Sequence, residues 1–384
     1  MFKKNIDLII KMNIKKYGSW NCIPQEIEIL ICLSKAKNIP SIRKEVIIPN
    51  TVIKKLLFIF LSAVLITDNN FKDKIIIVAG STLSDGAVLW INDKKIKLIG
   101  DALEATGLFY YNERIYVTGW QYGGNGSVWT MNKDGSDQTH IELEGKFSEG
   151  QRILVHNGDI YVGGYFDQGS CYWKNGSKTN LTTNADSMSW GIGIDSDNNI
   201  YNAGYYMKSH SLIPSFWKNN KRTNLSRPRH GDGEAKYIEI IGNKKIIAGT
   251  VMVPDNFLGY ITKPTYWING SRSSCQIGSI DEGWQNSEVF DLFVDSQENI
   301  FLAGFSQDID YEYPTYWKNC EKKILQNGEV PGVIRSIAVV NGKVISAGTQ
   351  SYFPGIPCLW VEDEQFVYDE ELEGEVWDML VIDN

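Results

Sequence analysis

Two carboxylates are the residues in this chain best placed to do chemistry. Asp291 and Asp378 hold the same place in two copies of a repeated unit. A pair of carboxyl groups roughly 5–10 Å apart is what glycoside hydrolysis needs, one as acid and the other as base or nucleophile. At the same place in other copies, or one residue earlier, stand Arg152, Tyr237, Trp190, Lys236, Phe290, Arg335 and Trp377. Aromatic faces for stacking, mixed with charged groups for orientation, suit a sugar or a peptide. Each has a plainer reading. The aspartates could be solvated or paired with Arg, since charged side chains are seldom buried alone, and Trp190 and Trp377 could pack between neighbouring units. No other catalytic set stands out. The histidines are His140, His156, His210 and His230, and no two share a metal-ligand spacing. Asp195-Ser196-Asp197-Asn198-Asn199 spaces its oxygens like part of a calcium loop but lacks the closing Glu, so it reads as a turn. No glycine-rich phosphate loop opens a helix. The sequence calls for no metal and no cofactor.

The elements that must position these residues repeat along the chain. Short apolar segments end at Gly80, Gly119, Gly164, Gly204, Gly249, Gly304 and Gly348. Each is followed by one tryptophan: Trp90, Trp129, Trp173, Trp217, Trp267, Trp317 and Trp360. The Trp-to-Trp steps are 39, 44, 44, 50, 50 and 43 residues. Each unit alternates apolar and polar residues rather than showing a 3.6-residue period, which excludes a solenoid of helix pairs. In the sixth copy the strands read as Val289 to Val294, Ile300 to Gly304, Pro314 to Lys318 and Lys323 to Leu325. Asn-Gly, the strongest short hairpin signal, recurs at 175–176, 269–270 and 341–342. Four short strands per unit and seven units predict an all-β, seven-bladed β-propeller. Val376 to Ile382 reads as a lone first strand, so the C-terminal strand is expected to complete blade one and close the ring.

Asp195 to Gly204 and Asp295 to Gly304 resemble the bacterial propeller-repeat pattern D-x-x-G-N-[IV]-Y-V-A-G. Tyr172-Trp173-Lys174-Asn175-Gly176 is similar to repeats of exported bacterial proteins of unassigned function. The resemblance spans about residues 70–384 and departs from the pattern by lacking Gly before Asn199 and Asn299. It implies the fold and export, and leaves function open.

The chain divides into a non-repeating extension at 1–51, a signal-like hydrophobic segment at 52–69, and the propeller at 70–384. The extension is basic, with Ile6 to Ile14 patterned as an amphipathic helix. Ile53-Lys54-Lys55 before the apolar run 56–66 has the layout of a secretory signal. Eleven apolar residues are too few to span a bilayer, so no transmembrane span is expected in the mature protein. If 56–66 is instead a blade strand, a cytoplasmic location follows. Residues 1–55 carry 11 Lys and Arg against 4 Asp and Glu, and the rest 27 against 42. An acidic body argues against nucleic acid, whose binding rests on basic groups neutralising phosphates. The six cysteines show no metal or redox spacing and read as buried free thiols.

In a propeller the first strand of each blade lines the central channel. The turns after strands one and three are short here. The connections after strands two and four vary, including 206–212, 251–263, 306–313 and 350–356. Variable loops on a rigid scaffold are where binding usually resides. Aligned first strands put Thr106, Gln151, Trp190, Lys236, Phe290, Arg335 and Trp377 at the channel mouth on that face, with Trp284 nearby. One step deeper come Gly107, Arg152, Gly191, Tyr237, Asp291, Ser336 and Asp378. The reading is a non-catalytic propeller of the bacterial envelope that binds a glycan or a protein segment at this mouth. The alternative is a glycan hydrolase or lyase using mouth carboxylates.

Overall fold

Ile, Val, Tyr and Phe crowd the segments that end in Ala-Gly, and β-branched and aromatic side chains suit a pleated, half-buried backbone. The computed structural model shows those segments as strands. It describes the backbone of three strands within residues 8–49, and residues 71–384 apart from 72, 93, 168, 183–186, 256–257, 278–285, 329, 351–354 and 369–372. The signal-like run 56–66 and Trp284 lie outside the described residues.

Two compact units divide the chain, residues 1–72 and 73–384. In the first, Leu8–Met12, Glu26–Leu33 and Val46–Pro49 form a three-stranded sheet. The helix expected over Ile6 to Ile14 is not formed, because Leu8–Met12 pairs antiparallel with Glu26–Leu33. Successive isoleucines on both partners favour strand over helix.

The second unit is a seven-bladed β-propeller of four-stranded antiparallel sheets. Blade one combines Gly374–Asp383 with Lys74–Thr82, Gly86–Ile91 and Lys94–Lys97. The C-terminal strand therefore closes the ring, pairing from Gly374↔Thr82 to Asp383↔Lys74. Blades two to seven begin with Ala102–Tyr111, Glu149–His156, Ser187–Ile194, Gly233–Ile241, Asn286–Val294 and Gly332–Val340. First strands of neighbouring blades meet around the whole circle.

The repeat motif has a physical account at each position. All seven repeat tryptophans are buried. Trp129, Trp173 and Trp267 donate their indole N–H to the backbone oxygens of Ile99, Glu144 and Ser226 in the preceding blade, at 2.8–2.9 Å. These three tryptophans thus stitch neighbouring blades together, whereas the Trp317 indole N–H is enclosed without a partner. The asparagine after the tryptophan strand adopts positive φ at Asn92, Asn175, Asn219, Asn269 and Asn319. Its side-chain oxygen also accepts an N–H near the start of strand two, as Asn319 does from Ile300 at 2.9 Å. One residue therefore makes the turn and ties it to the neighbouring strand.

Two of the variable connections are not loops. Residues 251–263 continue the ladder from Val251↔Lys263 to Asp255↔Gly259. Residues 206–212 pair down to Lys208↔Ser211. The cysteine reading holds for Cys171 and Cys358, which are free and buried. It fails for Cys275 and Cys320, which form a disulfide. Cys275 follows the outer strand of blade five, where Leu98, Leu143 and Leu225 follow theirs, and Cys320 lies in a turn of blade six. The bridge therefore joins adjacent blades.

The turn at Asp195 is as expected. Its carboxylate accepts from the backbone N–H of Asp197 and Asn199, from the Asn199 side chain and from the Tyr201 hydroxyl. The place where the resembled pattern has Gly is Asn198 in one copy and Glu298 in the other, with φ of 62° and 64°. A left-handed backbone costs a non-glycine residue about 1–2 kcal/mol. The exposed Lys244–Glu298 pair, at 2.6 Å, offsets only part of that. Glu298→Gly is therefore expected to stabilise the protein by about 1 kcal/mol in urea denaturation; a loss of stability would show that the ion pair dominates.

Candidate functional site at the channel mouth

The geometry of the mouth follows from one irregularity that every blade repeats. In each first strand the ladder to strand two skips a residue: 106, 151, 190, 236, 290, 335 and 377. These are the seven residues aligned at the mouth from sequence. A bulge leaves one residue unpaired and re-aims its side chain. Opposite the bulge lies the repeat glycine. A β carbon on Gly304 would stand 1.8 Å from the Glu288 carbonyl oxygen, and the other six repeat glycines face the equivalent carbonyl at 1.9–2.0 Å. Only glycine can sit there, which is why each strand two carries Gly at this place.

The bulge residues differ around the ring. In blades five, six, seven and one they form a chain of stacked cations and aromatics. Lys236 Nζ lies 4.6 Å from the Phe290 ring centre, and the Arg335 guanidinium lies 4.0 Å from Phe290 and 4.6 Å from Trp377. In blades two, three and four they are neutral. Thr106 is buried and bonds the Gly150 carbonyl, Gln151 approaches Glu149, and Trp190 meets Tyr165 edge-on at 6.2 Å. The indole N–H groups of Trp190 and Trp377 are both enclosed without a hydrogen-bond partner.

One step deeper the channel is filled. Arg152 reaches across it, 3.7 Å from Asp291 and 3.4 Å from Asp378, with its guanidinium 5.3 Å from the Tyr237 ring centre. The Ser336 hydroxyl lies 2.8 Å from Asp291 and 3.0 Å from Asp378. Asp291 also accepts from Ile337 N–H, and Asp378 from Leu108 and Met379 N–H, at 2.8–2.9 Å. The remaining two places in this ring are Gly107 and Gly191, where a β carbon would lie 2.9–3.1 Å from the next blade's backbone. Burial raises the Asp291 carboxyl while Arg152 pulls it down. Burial likewise opposes the Arg152 charge, and Asp378 and Asp291 outweigh it. The aspartates are only 4% and 7% exposed. The structure thus brings Arg152, Tyr237, Asp291 and Asp378 together as an internal network spanning the channel. It places Trp190, Lys236, Phe290, Arg335 and Trp377 above them.

A second set of groups went unnoticed in the sequence. Two residues before the bulge residue, five of the seven blades carry glutamate: Glu375, Glu104, Glu149, Glu234 and Glu288 in blades one, two, three, five and six. The signal was an E-x-x triplet ending on five of the seven aligned mouth residues, Met188 and Val333 standing at this place in blades four and seven. Lys236 lies 3.1 Å from Glu288 and 3.7 Å from Glu234. Glu149 accepts from the Tyr165 hydroxyl. One oxygen of Glu104 is enclosed without a partner. Burial, with Glu375 and Glu149 nearby, pushes Glu104 from an ordinary 4.5 up to about 7, against a weaker pull from Arg335. Burial lowers Arg335, against the pull of surrounding glutamates.

Elsewhere, two shallow depressions of about 410 and 490 Å³ lie on the rim, one lined by Glu142, Glu144 and Lys146, the other beside the Cys275–Cys320 bridge. Neither touches the channel residues.

No protein-family model matches the chain, and no curated protein matches it in sequence. Solved structures similar in outline include the WD40 β-propeller domain of Doa1, at 14% identity and a TM-score of 0.44 over 79% of this chain and 93% of that one. The polysaccharide lyase Uly1 is similar at 10% identity and 0.43, over 81% and 98%. TolB from Acinetobacter baumannii is similar at 8% and 0.42, over 97% and 79%. Likeness at this level adds nothing to the blade pairings themselves.

Removing one partner of a buried ion network leaves an uncompensated charge. Arg152→Met is expected to cost about 3–5 kcal/mol in urea denaturation at neutral pH, and adding Asp291→Asn and Asp378→Asn is expected to recover most of the loss. An unaffected Arg152→Met protein would show that the network does not hold the channel. Glu104 gives a pH signature. The folded protein binds its proton more tightly than the unfolded chain, so its carboxylate weakens the fold progressively as pH rises from about 4.5 to about 7. Glu104→Gln should melt higher than the parent at about pH 8 and match it at about pH 4. Equal melting at both would place Glu104 in an ordinary, solvated setting.

Proposed function

We propose that this protein is a non-catalytic binding propeller that takes its partner on the channel-mouth face. The carrying observation is where large apolar side chains are exposed. Leu83, Ile99, Tyr122, Phe147, Leu258, Tyr260, Ile309 and Tyr311 all sit in or beside connections on the mouth face. Among the described residues only Tyr111, Ile141 and Ile241 are comparably exposed elsewhere. Exposed apolar groups gathered on one face mark an interaction surface. A protein segment or a glycan would use the aromatic side chains and the polar mouth together.

Export from a bacterial cell fits the same reading. It is supported by the signal-like layout before residue 70 and by the Cys275–Cys320 disulfide, since such bridges persist in oxidising compartments. Asp291 and Asp378 are poor candidates for the enzyme alternative, because both are buried in the network with Arg152 and Ser336, although Asp291 Oδ1 has no hydrogen-bond partner there. The remaining support for that alternative is Glu104, a carboxyl held near neutrality beside two other carboxylates, as a general acid requires.

The test is a thermal-shift and binding screen of the full chain against envelope oligosaccharides and peptides, because a ligand of the folded state raises the melting point by mass action. A hit should weaken about tenfold in the Tyr122→Ala, Phe147→Ala double variant, with unchanged melting of the free protein. A ligand unaffected by those changes and by Trp190→Ala would place binding off this face. A ligand turned over by the parent but only bound by Glu104→Gln would establish the enzyme instead.

A further inference from the structure

We propose that the partner is a basic protein segment, and that its ammonium or guanidinium group seats against Glu104 and Glu149 at blades two and three, with Glu375 of blade one beside them. The inference rests on the mouth-binding reading and adds the chemistry of the ligand.

The ring supplies its own comparison. Glutamates stand at the same strand position in blades five and six, and there the fold provides their cation: Lys236 pairs with both Glu288 and Glu234. At blades two and three the same position carries Glu104 and Glu149, and the mouth residues of their own and preceding blades are the uncharged Trp377, Thr106 and Gln151. Arg335 of blade seven, by contrast, stands to Glu375 of blade one as Lys236 stands to Glu288. Among the described residues no Lys or Arg forms an ion pair with any of these three glutamates. Arg335 is the cation whose field reaches Glu104 and Glu375, but it is held between the Phe290 and Trp377 rings. Glu149 is met by Tyr165 and Gln151. One oxygen of Glu104 is enclosed and bonded to nothing. Three like charges in one sector are mutually unfavourable unless protonated or met by a cation.

Four of the eight exposed apolar groups of the mouth face fall in the same sector, the others lying at blades five and six. Leu83 and Tyr122 belong to the strand two–three connections of blades one and two, and Ile99 and Phe147 to the connections leading into blades two and three. Leu83, Tyr122 and Phe147 are 64–66% exposed. Carboxylates lacking a cation, rimmed by exposed aromatic and aliphatic groups, complement a segment that carries Lys or Arg next to apolar residues. The body's charge balance, 27 Lys and Arg against 42 Asp and Glu beyond residue 55, favours approach of the same kind of partner. A neutral glycan would leave the Glu104 sector uncompensated.

The probe is a labelled peptide of alternating Lys and Trp, compared with the same peptide carrying Glu in place of Lys, by fluorescence anisotropy on the full chain. The Lys peptide should bind saturably and more weakly as salt is raised. The Glu104→Gln, Glu149→Gln, Glu375→Gln triple variant should bind it about tenfold more weakly or worse, while melting no lower than the parent at about pH 8. Glu321→Gln with Glu364→Gln, on the outer strands, controls for general charge and should bind as the parent does. Equal binding of the two peptides, or undiminished binding by the triple variant, overturns the proposal. So does a neutral oligosaccharide that binds this mouth and is lost in the Tyr122→Ala, Phe147→Ala variant, although that result would leave the mouth as the binding face.

Discussion

A carbonyl oxygen standing where a β carbon would otherwise lie is the constraint on which the structure depends. In each blade the first strand carries one residue too many for its partner, and the displaced carbonyl enters the space above the repeat glycine. Larger residues are excluded there because the oxygen belongs to backbone and cannot rotate away. The bulge then directs one side chain per blade into the channel mouth. Seven such bulges make a ring of seven variable positions on a scaffold that does not vary. The buried tryptophans hold the blades at the spacing this needs, and the C-terminal strand removes the open edge that would let the ring spread.

The channel residues separate into two layers with different work. The deeper layer is an ion network of one guanidinium and two carboxylates, supported by Ser336 and backbone N–H groups, and it closes the channel. Buried networks of this kind add little net stability but are costly to break, so they specify which packing is adopted. The upper layer is uneven. Its cations stand in blades five and seven, its uncompensated carboxylates in blades two and three. This asymmetry, imposed on a nearly sevenfold frame, gives the mouth a chemical direction.

Much of the fold was legible because it repeats. The Ala-Gly ends, the tryptophans and the Asn turns each mark a fixed place in the blade, and the trailing strand at 376–382 could be assigned by comparison with Val289–Val294. The mouth ring was also legible, since aligning first strands is arithmetic on the same repeat. The bulge was not, because pattern alone does not show that one strand holds an extra residue. Without the bulge, the glutamates two residues earlier looked like ordinary strand-edge charges. The Asp291–Asp378 pair suggested catalysis because sequence shows which types are present and hides that Arg152, from a blade across the channel, lies between them. The Cys275–Cys320 bridge was missed for a related reason: the two residues fall at unrelated places in their own blades and meet only where adjacent blades touch. At Leu8–Met12, helical spacing of apolar residues lost to strand pairing by isoleucine-rich partners.

The central claim is that the mouth holds carboxylates the protein does not itself neutralise. Carbon-13 NMR titration of glutamate side-chain carboxyls in the full chain measures this directly. The account predicts two glutamates titrating near pH 7, Glu239, raised by its burial and by Asp291 nearby, and a second whose signal disappears in Glu104→Gln. A Glu104 signal in the ordinary range would mean that the sector at blades two and three is already compensated, and that the mouth does not wait for a cation.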